Sequence, residues 1–338
     1  MDRYAADLPQ APAEVVGADG RPIAGRFAGR CARIDWAALR GEWARSSWYR
    51  HFHHKRWQYI GIAAGRCFIG CAVVDLGWTN AAFAYVFDLE QRAVVGSVSC
   101  DGLPGLTARL ADVPAAGSES RFRLFGARIV FAETQAGLFT LQVRGPDGLQ
   151  IDAELDGRAA APWLFASNRV EGGAWHATHK SPALQTRGVV RAGGESYSLD
   201  GAYSCLDHSN GLLARDTRWL WAAAHGQDIG FNLQSGYFGD SENALWLDGR
   251  LIPLGAAQFE FDARDTAAPW RVRTDDQLLD LRFVPLGERR EDRNLIVAAS
   301  RYVQPVGHYE GWVRAAASDA PRAVAGLVGV AEHHESRW

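Results

Sequence analysis

Along most of the chain apolar and polar residues alternate with a period of two, in short runs closed by Gly, Asp or Asn, the pattern of half-buried β-strands. From Trp57 the runs WQYIGIAAG, CFIGCAVVDLG, AAFAYVFDLE and RAVVGSVSC follow one another with short links, which predicts a four-strand meander. RFRLFGARIVFAET, GLFTLQVRG and LQIDAELDG continue the series, with turns at Gly126, Gly137 and the Pro-Asp-Gly of 146–148. The pattern restarts after Gly172 and Gly173 and runs through AAQFEFDAR, LLDLRFVPLGER and LIVAASRYVQPVG. In the tail, AVAGLVGVAEHHESRW, the Val and Gly content favours strand over helix. Helical spacing shows best over residues 34–45, IDWAALRGEWAR, where Trp36, Leu39 and Trp43 follow Asp35 as an N-cap and predict a short helix despite Gly41. The Pro-, Gly- and Ala-rich start reads as an extended arm lying on the body of the protein. The expected organisation is an arm over 1–33, a β domain over 34–170 and a second β domain over 171–338, all-β with antiparallel strands that close into barrels or stack as sandwiches.

The clearest local signal is a hairpin, WLWAAAH from Trp219 and DIGFNLQ from Asp228, joined at Gly226 and Gln227. A two-residue turn there pairs His225 with Asp228, Trp221 with Asn232 and Trp219 with Gln234. One face is then wholly apolar (Leu220, Ala222, Ala224, Ile229, Phe231, Leu233), while the other mixes two indoles with two carboxamides. Two packings satisfy this pattern. Either the mixed face lines a ligand pocket, or the apolar face is a barrel core and the mixed face lies half-exposed outside.

Composition narrows the class. With 36 basic against 39 acidic residues and a formal charge of -3 in 338 residues, nothing in the overall charge calls for nucleic acid or an anionic membrane. A small or apolar ligand fits better. Five cysteines without a CxxC pair suggest neither a disulfide framework nor a zinc knuckle, and point to a reducing cytoplasm. The N-terminus lacks an apolar signal core and no run is long enough to span a bilayer, so a soluble protein without stable membrane insertion is expected. Thirteen tryptophans and 36 glycines against one methionine suit short, sharply turned strands with rigid aromatic filling. The nucleotide, dinucleotide, serine-hydrolase and HExxH motifs are absent.

Acid–base chemistry needs a group whose pKa an apolar pocket moves towards neutrality. Asp207 is the first candidate, although Asp207 and Ser209 in LDHSNG also suit a turn cap. His208, next in sequence, points to the opposite face of an extended strand and joins Asp207 only if the chain bends at Ser-Asn-Gly. Glu242, expected to open the strand ENALWLDG on the face of Ala244 and Trp246, is either a second acid–base member or a strand-edge charge in water. Trp219 and Trp221 would stabilise a developing carbocation through their ring faces, or simply fill a core. His51, His53 and His54 cluster in RHFHHKRW, and His176 and His179 stand three apart in WHATHK. That run reads as extended and sends the latter pair to opposite faces, so no metal is expected.

The stretches THKSPALQTRGVVRAGGESY, RWQYIG, FDLE, TRWLWA and ENALWLDG resemble the bacterial DUF2804 family over nearly the whole chain. That family is similar in turn to the two-domain lipocalin-like (calycin) group that includes AttH and the hydroxyneurosporene synthase/carotenoid 1,2-hydratase proteins. Those carry an Asp-His pair before a glycine and a downstream Trp-rich strand, matched here by LDHSNG and TRWLWA, with Asn210 in place of the Trp before the glycine. The resemblance implies two antiparallel lipocalin-like barrels or half-barrels packed together around an apolar pocket. It also implies acid-catalysed addition of water to a carbon–carbon double bond without metal or organic cofactor. The expectation is therefore a cofactor-independent lyase, hydratase or isomerase acting on a hydrophobic unsaturated or aromatic small molecule. Asp207, His208 and Glu242 are the catalytic candidates. Trp219, Trp221, Asn232, Gln234 and Asn243, with His179 and Trp57 from the resembling stretches, line the pocket. A non-catalytic carrier of a lipid or hydrophobic metabolite satisfies the same pocket, and a Trp-rich interaction surface is a third reading. A homodimer is compatible with all three.

Overall fold

The computed structural model describes residues 7–294 and 299–338. Within them the chain is nearly all β, a nearly closed barrel plus a half-barrel, built from a 15-stranded and a 9-stranded antiparallel sheet. The four-strand meander is present as His54–Ala64, Cys67–Asp75, Asn80–Asp88 and Ala93–Gly102, each paired with the next. The strand Ala202–Leu212 stitches the barrel together, pairing with His54–Ala64 on one side and with Trp175–Lys180 and Leu184–Ala192 on the other. The second sheet begins only at Asp216. The strands between 175 and 212, which the sequence pattern groups with the C-terminal half, thus pair in the first sheet. Among the described residues no helix is long and apolar enough to cross a membrane.

Each sheet has its own core, as period-two alternation requires. Ile60, Ile62, Ile69, Phe122, Phe139 and Leu141 fill the barrel. Leu220's neighbours Ala222 and Ala224 join Phe231, Leu233, Trp270, Phe283 and Tyr309 in the half-barrel. The apolar hairpin face is therefore a core. The mixed face is buried as well, because the outer face of the meander packs on it: Tyr59, Phe68, Ala72 and Tyr85 meet Trp221, Ala223, Val306 and Val330. Gly70 permits that packing, since a Cβ there would lie 2.3 Å from the Tyr85 ring.

Several local expectations are corrected. Residues 34–45 form two 3-10 turns, Trp36–Ala38 and Gly41–Trp43, broken where Gly41 adopts φ 58°. Asp35 does cap the first, accepting from the Ala37 amide at 2.9 Å. The α-helix is Ser47–His53, capped by Ser46, in a stretch notable in sequence only for its histidines. The arm holds itself down by pairing Gly25–Ala28 with Leu164–Arg169 and by burying Val15, Val16 and Cys31. The hairpin pairs Trp221 with Gln234, Ala223 with Asn232 and His225 with Gly230, two residues from the expected register, because the turn takes in Asp228. A two-residue shift leaves every side chain on its expected face; a shift of one would have reversed them. The tail is a strand, Arg322–Arg337. Met1–Ala6 of the arm and Leu295–Ala298 of the strand expected over 295–307 lie outside the described residues.

Candidate active site

The strand 202–212 runs straight through LDHSNG, so the bend that would unite Asp207 with His208 does not form, nor does the turn that Asp207 and Ser209 would cap. Asp207 faces the space between the sheets. Its cross-strand partners are Lys180 on one side and Tyr59 on the other, and one step along, Ser209 lies between Thr178 and Trp57. Six side chains from three strands thereby share one face. Facing them, the second sheet presents Gln234 beside Trp221 beside Glu332, and Trp219 beside His334.

Lys180 and Asp207 form a buried ion pair at 2.5 Å. The other Asp207 oxygen accepts from Ser209 at 3.1 Å and from Thr178 at 3.4 Å. Glu242 approaches Lys180 from the second sheet, 3.3 Å from its Nζ. It sits in the turn after Ile229–Gly236 and ahead of Ala244–Leu247, so its expected place within that strand is corrected. Asn232 holds the turn: its Nδ2 donates to the Glu242 carbonyl at 2.9 Å, while its Oδ1 accepts from Trp221 Nε1 at 2.8 Å. Asn243 works in the backbone, accepting from the Gln234 amide at 2.6 Å and donating to the Gly255 carbonyl at 2.9 Å. Asn232 and Asn243, expected to line the pocket, instead brace the residues that do.

One buried ammonium therefore serves two buried carboxylates. With Lys180 and Asp207 charged, ionising Glu242 would leave a net negative charge in a site of low dielectric. Burial accordingly pushes the Glu242 carboxyl up to about 7, Lys180 pulling it down and Asp207 pushing it up. Burial works to lower the Lys180 ammonium, but the charges of Asp207 and Glu242 outweigh it and raise it. Glu242 Oε2 and both carboxamide atoms of Gln234 are buried without a hydrogen-bond partner among the described residues.

These groups line one cavity of roughly 220 Å³ between the sheets. Its walls are aromatic. Trp57 stacks on Trp219 at 6.2 Å, and Tyr59 meets Trp221 edge-on at 5.3 Å. At the far end Glu332 accepts from Trp219 Nε1 and from Gln304 Nε2, both at 2.8 Å. Tyr85 donates to Gln304 in turn, tying the barrel to the half-barrel.

Of the sequence candidates, Asp207, Glu242, Trp57, Trp219, Trp221 and Gln234 meet in this cavity. His208 and His179 do not. His208 points to the other side of its strand, where Nε2 bonds the Ala111 carbonyl at 2.9 Å, and burial lowers its pKa. His179 accepts from the Cys31 amide at 3.1 Å beneath the arm, and burial holds it well below its usual value. His176 faces away from His179, stacking on Trp57 at 5.5 Å. Asn210 accepts from Trp36 at 2.9 Å and His54 at 2.7 Å. Lys180, Tyr59 and Glu332 were not singled out from sequence. Tyr59 shares the stretch RWQYIG with Trp57 and, two residues on, its strand face, so alternation makes it legible; Lys180 is not, because nothing local marks a lysine as buried.

A family model described as a domain of unknown function, DUF2804, matches residues 8–338. The chain belongs to the DUF2804 family. Among solved structures, this DUF2804 protein is similar to CghA, with a TM-score of 0.53 at 12% identity over 98% of each chain. CghA solved with Sch210972 gives a TM-score of 0.50 at 12% identity, covering 100% of this chain and 97% of that one. An AttH-like protein of Nitrosomonas europaea gives 0.51 at 14% identity, covering 85% of this chain and 92% of its own. At such identities the likeness establishes the fold, which is that of the lipocalin-like barrel proteins. No curated protein matches the sequence.

Proposed function

We propose that this DUF2804 protein is a cofactor-independent lyase, hydratase or isomerase that moves a proton at a double bond, or beside a carbonyl, of a hydrophobic small molecule held between the two sheets. The observation that carries the proposal is Glu242: a buried carboxyl with a pKa of about 7, one oxygen unengaged, on the wall of an aromatic cavity. A group titrating near neutrality is the most effective proton carrier there, able both to give and to take a proton. The acid–base role assigned to Asp207 from sequence therefore passes to Glu242. Asp207 holds Lys180, and that ion pair sets the potential at Glu242. The ring faces of Trp219 and Trp221 would stabilise positive charge developing on the substrate. The unengaged Gln234 carboxamide offers one donor and one acceptor to orient a substrate oxygen.

The test starts with the compound that co-purifies from the native host, identified by mass spectrometry of denatured protein. Glu242→Gln should bind that compound as the wild type does and lose turnover by roughly a hundredfold or more. Wild-type turnover should follow a titration near pH 7. Turnover unaffected by Glu242→Gln overturns the assignment. If wild type and variant bind the compound equally and neither changes it, the protein is the carrier of a lipid or hydrophobic metabolite.

A further inference from the structure

The formal charge of -3 conceals a strongly uneven surface on the barrel. Where the barrel sheet turns its core inward through Phe122, Ile129, Val143, Ile151 and Val190, an adjacent residue on each strand points out. Cross-strand register makes those residues Arg123, opposite Arg128, opposite Arg144, opposite Gln150, opposite Arg191. One step along, Arg121 stands opposite Arg109 on the same face. Like charges directly opposite one another destabilise a sheet. Acidic residues answer only part of this row: Glu119 pairs with Arg121 at 2.9 Å and Asp152 with Arg144 at 2.8 Å. Among the described residues no ion pair joins Arg109, Arg123 or Arg128.

The row ends at an apolar tip. Phe125, at the turn between Arg123 and Arg128, is 95% exposed, and in the adjoining loop Leu106 is 81% and Leu103 55% exposed. The two segments are joined, since the Arg123 amide donates to the Thr107 carbonyl at 2.9 Å. The loop in turn hangs from the cavity wall. Asn80, which lines the cavity, donates to the Leu103 carbonyl at 2.8 Å and accepts from Thr107 Oγ1 at 2.7 Å.

We propose that this end of the barrel docks on an anionic lipid bilayer surface, with Leu103, Leu106 and Phe125 entering the headgroup boundary and the arginine row facing lipid phosphates. Apolar side chains at a loop tip flanked by cations are what interfacial attachment requires, each cation adding attraction to an anionic leaflet. A polyanion such as nucleic acid would answer the arginines but leave the three apolar side chains in water, so the bilayer is the better match. The attachment is peripheral and stands whether the cavity carries out chemistry or only binds.

The experiment is flotation of the full chain with vesicles of phosphatidylcholine, with and without phosphatidylglycerol, at low and raised salt. The wild type should float with the anionic vesicles and be released as salt rises. Arg123→Gln combined with Arg128→Gln should weaken partitioning by about thirtyfold, at the ordinary contribution of a basic side chain near such a surface. Leu106→Ser combined with Phe125→Ser should abolish it. Both pairs lie outside the cores, so their melting temperatures should stay at or above that of the wild type, the arginine pair by relief of repulsion. No flotation, equal flotation with neutral vesicles, unchanged flotation of either double variant, or binding to duplex DNA in place of vesicles would each overturn the proposal.

Discussion

Replacing Glu242 by Gln should stabilise the protein in alkaline but not in acid solution. The folded-state pKa of Glu242 is about 7 against an ordinary 4.5. Between those values the folded chain holds a proton that the unfolded chain has released, so wild-type stability falls as pH rises through the interval. At about 1.4 kcal/mol per unit the loss amounts to roughly 3 kcal/mol once pH exceeds 7. Gln has the shape of the protonated acid and does not titrate. At pH 5 the two proteins should melt together; at pH 8 the variant should melt higher. For 338 residues, an unfolding entropy of about 2 cal/mol/K per residue converts 3 kcal/mol into a gap of about 4 °C. Scanning calorimetry at the two pH values reads it directly. A gap of the same size at both would mean that Glu242 does not titrate in this window, and the assignment of the proton carrier would fall with it.

Asp207→Asn removes the negative charge that helps hold the Glu242 proton and leaves Lys180 to Glu242 alone. The titration of Glu242, followed by carboxyl infrared bands or by the pH dependence of melting, should therefore move to lower pH; a move to higher pH would contradict the charge accounting at this site. Trp219→Leu takes a hydrogen bond from Glu332 and the stacking partner from Trp57. It should cost about 2–4 kcal/mol in denaturant unfolding, since it combines a lost aromatic with a buried carboxylate left short of a donor. Gly70→Ala drives a methyl group into the Tyr85 ring and disturbs its hydrogen bond to Gln304. Loss of about 1–3 kcal/mol, measured the same way, is expected from overpacking, and an unchanged stability would show that Tyr85 can move aside.

The sequence by itself determined which residues share a face. Period-two alternation put Trp219, Trp221, Asn232 and Gln234 together even though the hairpin register was off by two, because an even shift conserves the face. Alternation likewise separated Asp207 from His208 and His176 from His179, and the structure keeps both pairs apart. The meander and the closing strand were legible for the same reason: strand pairing along a meander is local. What the sequence left open was whether the mixed hairpin face is enclosed or lies half-exposed outside. That is settled by strands brought in from elsewhere in the chain, as when Asp207 comes between Lys180 and Tyr59. Only the tertiary structure could single out Glu242 as the group proposed for the acid–base role. A carboxyl acquires its pKa from burial and from the charges facing it, and here those charges, Lys180 and Asp207, lie on the opposite sheet.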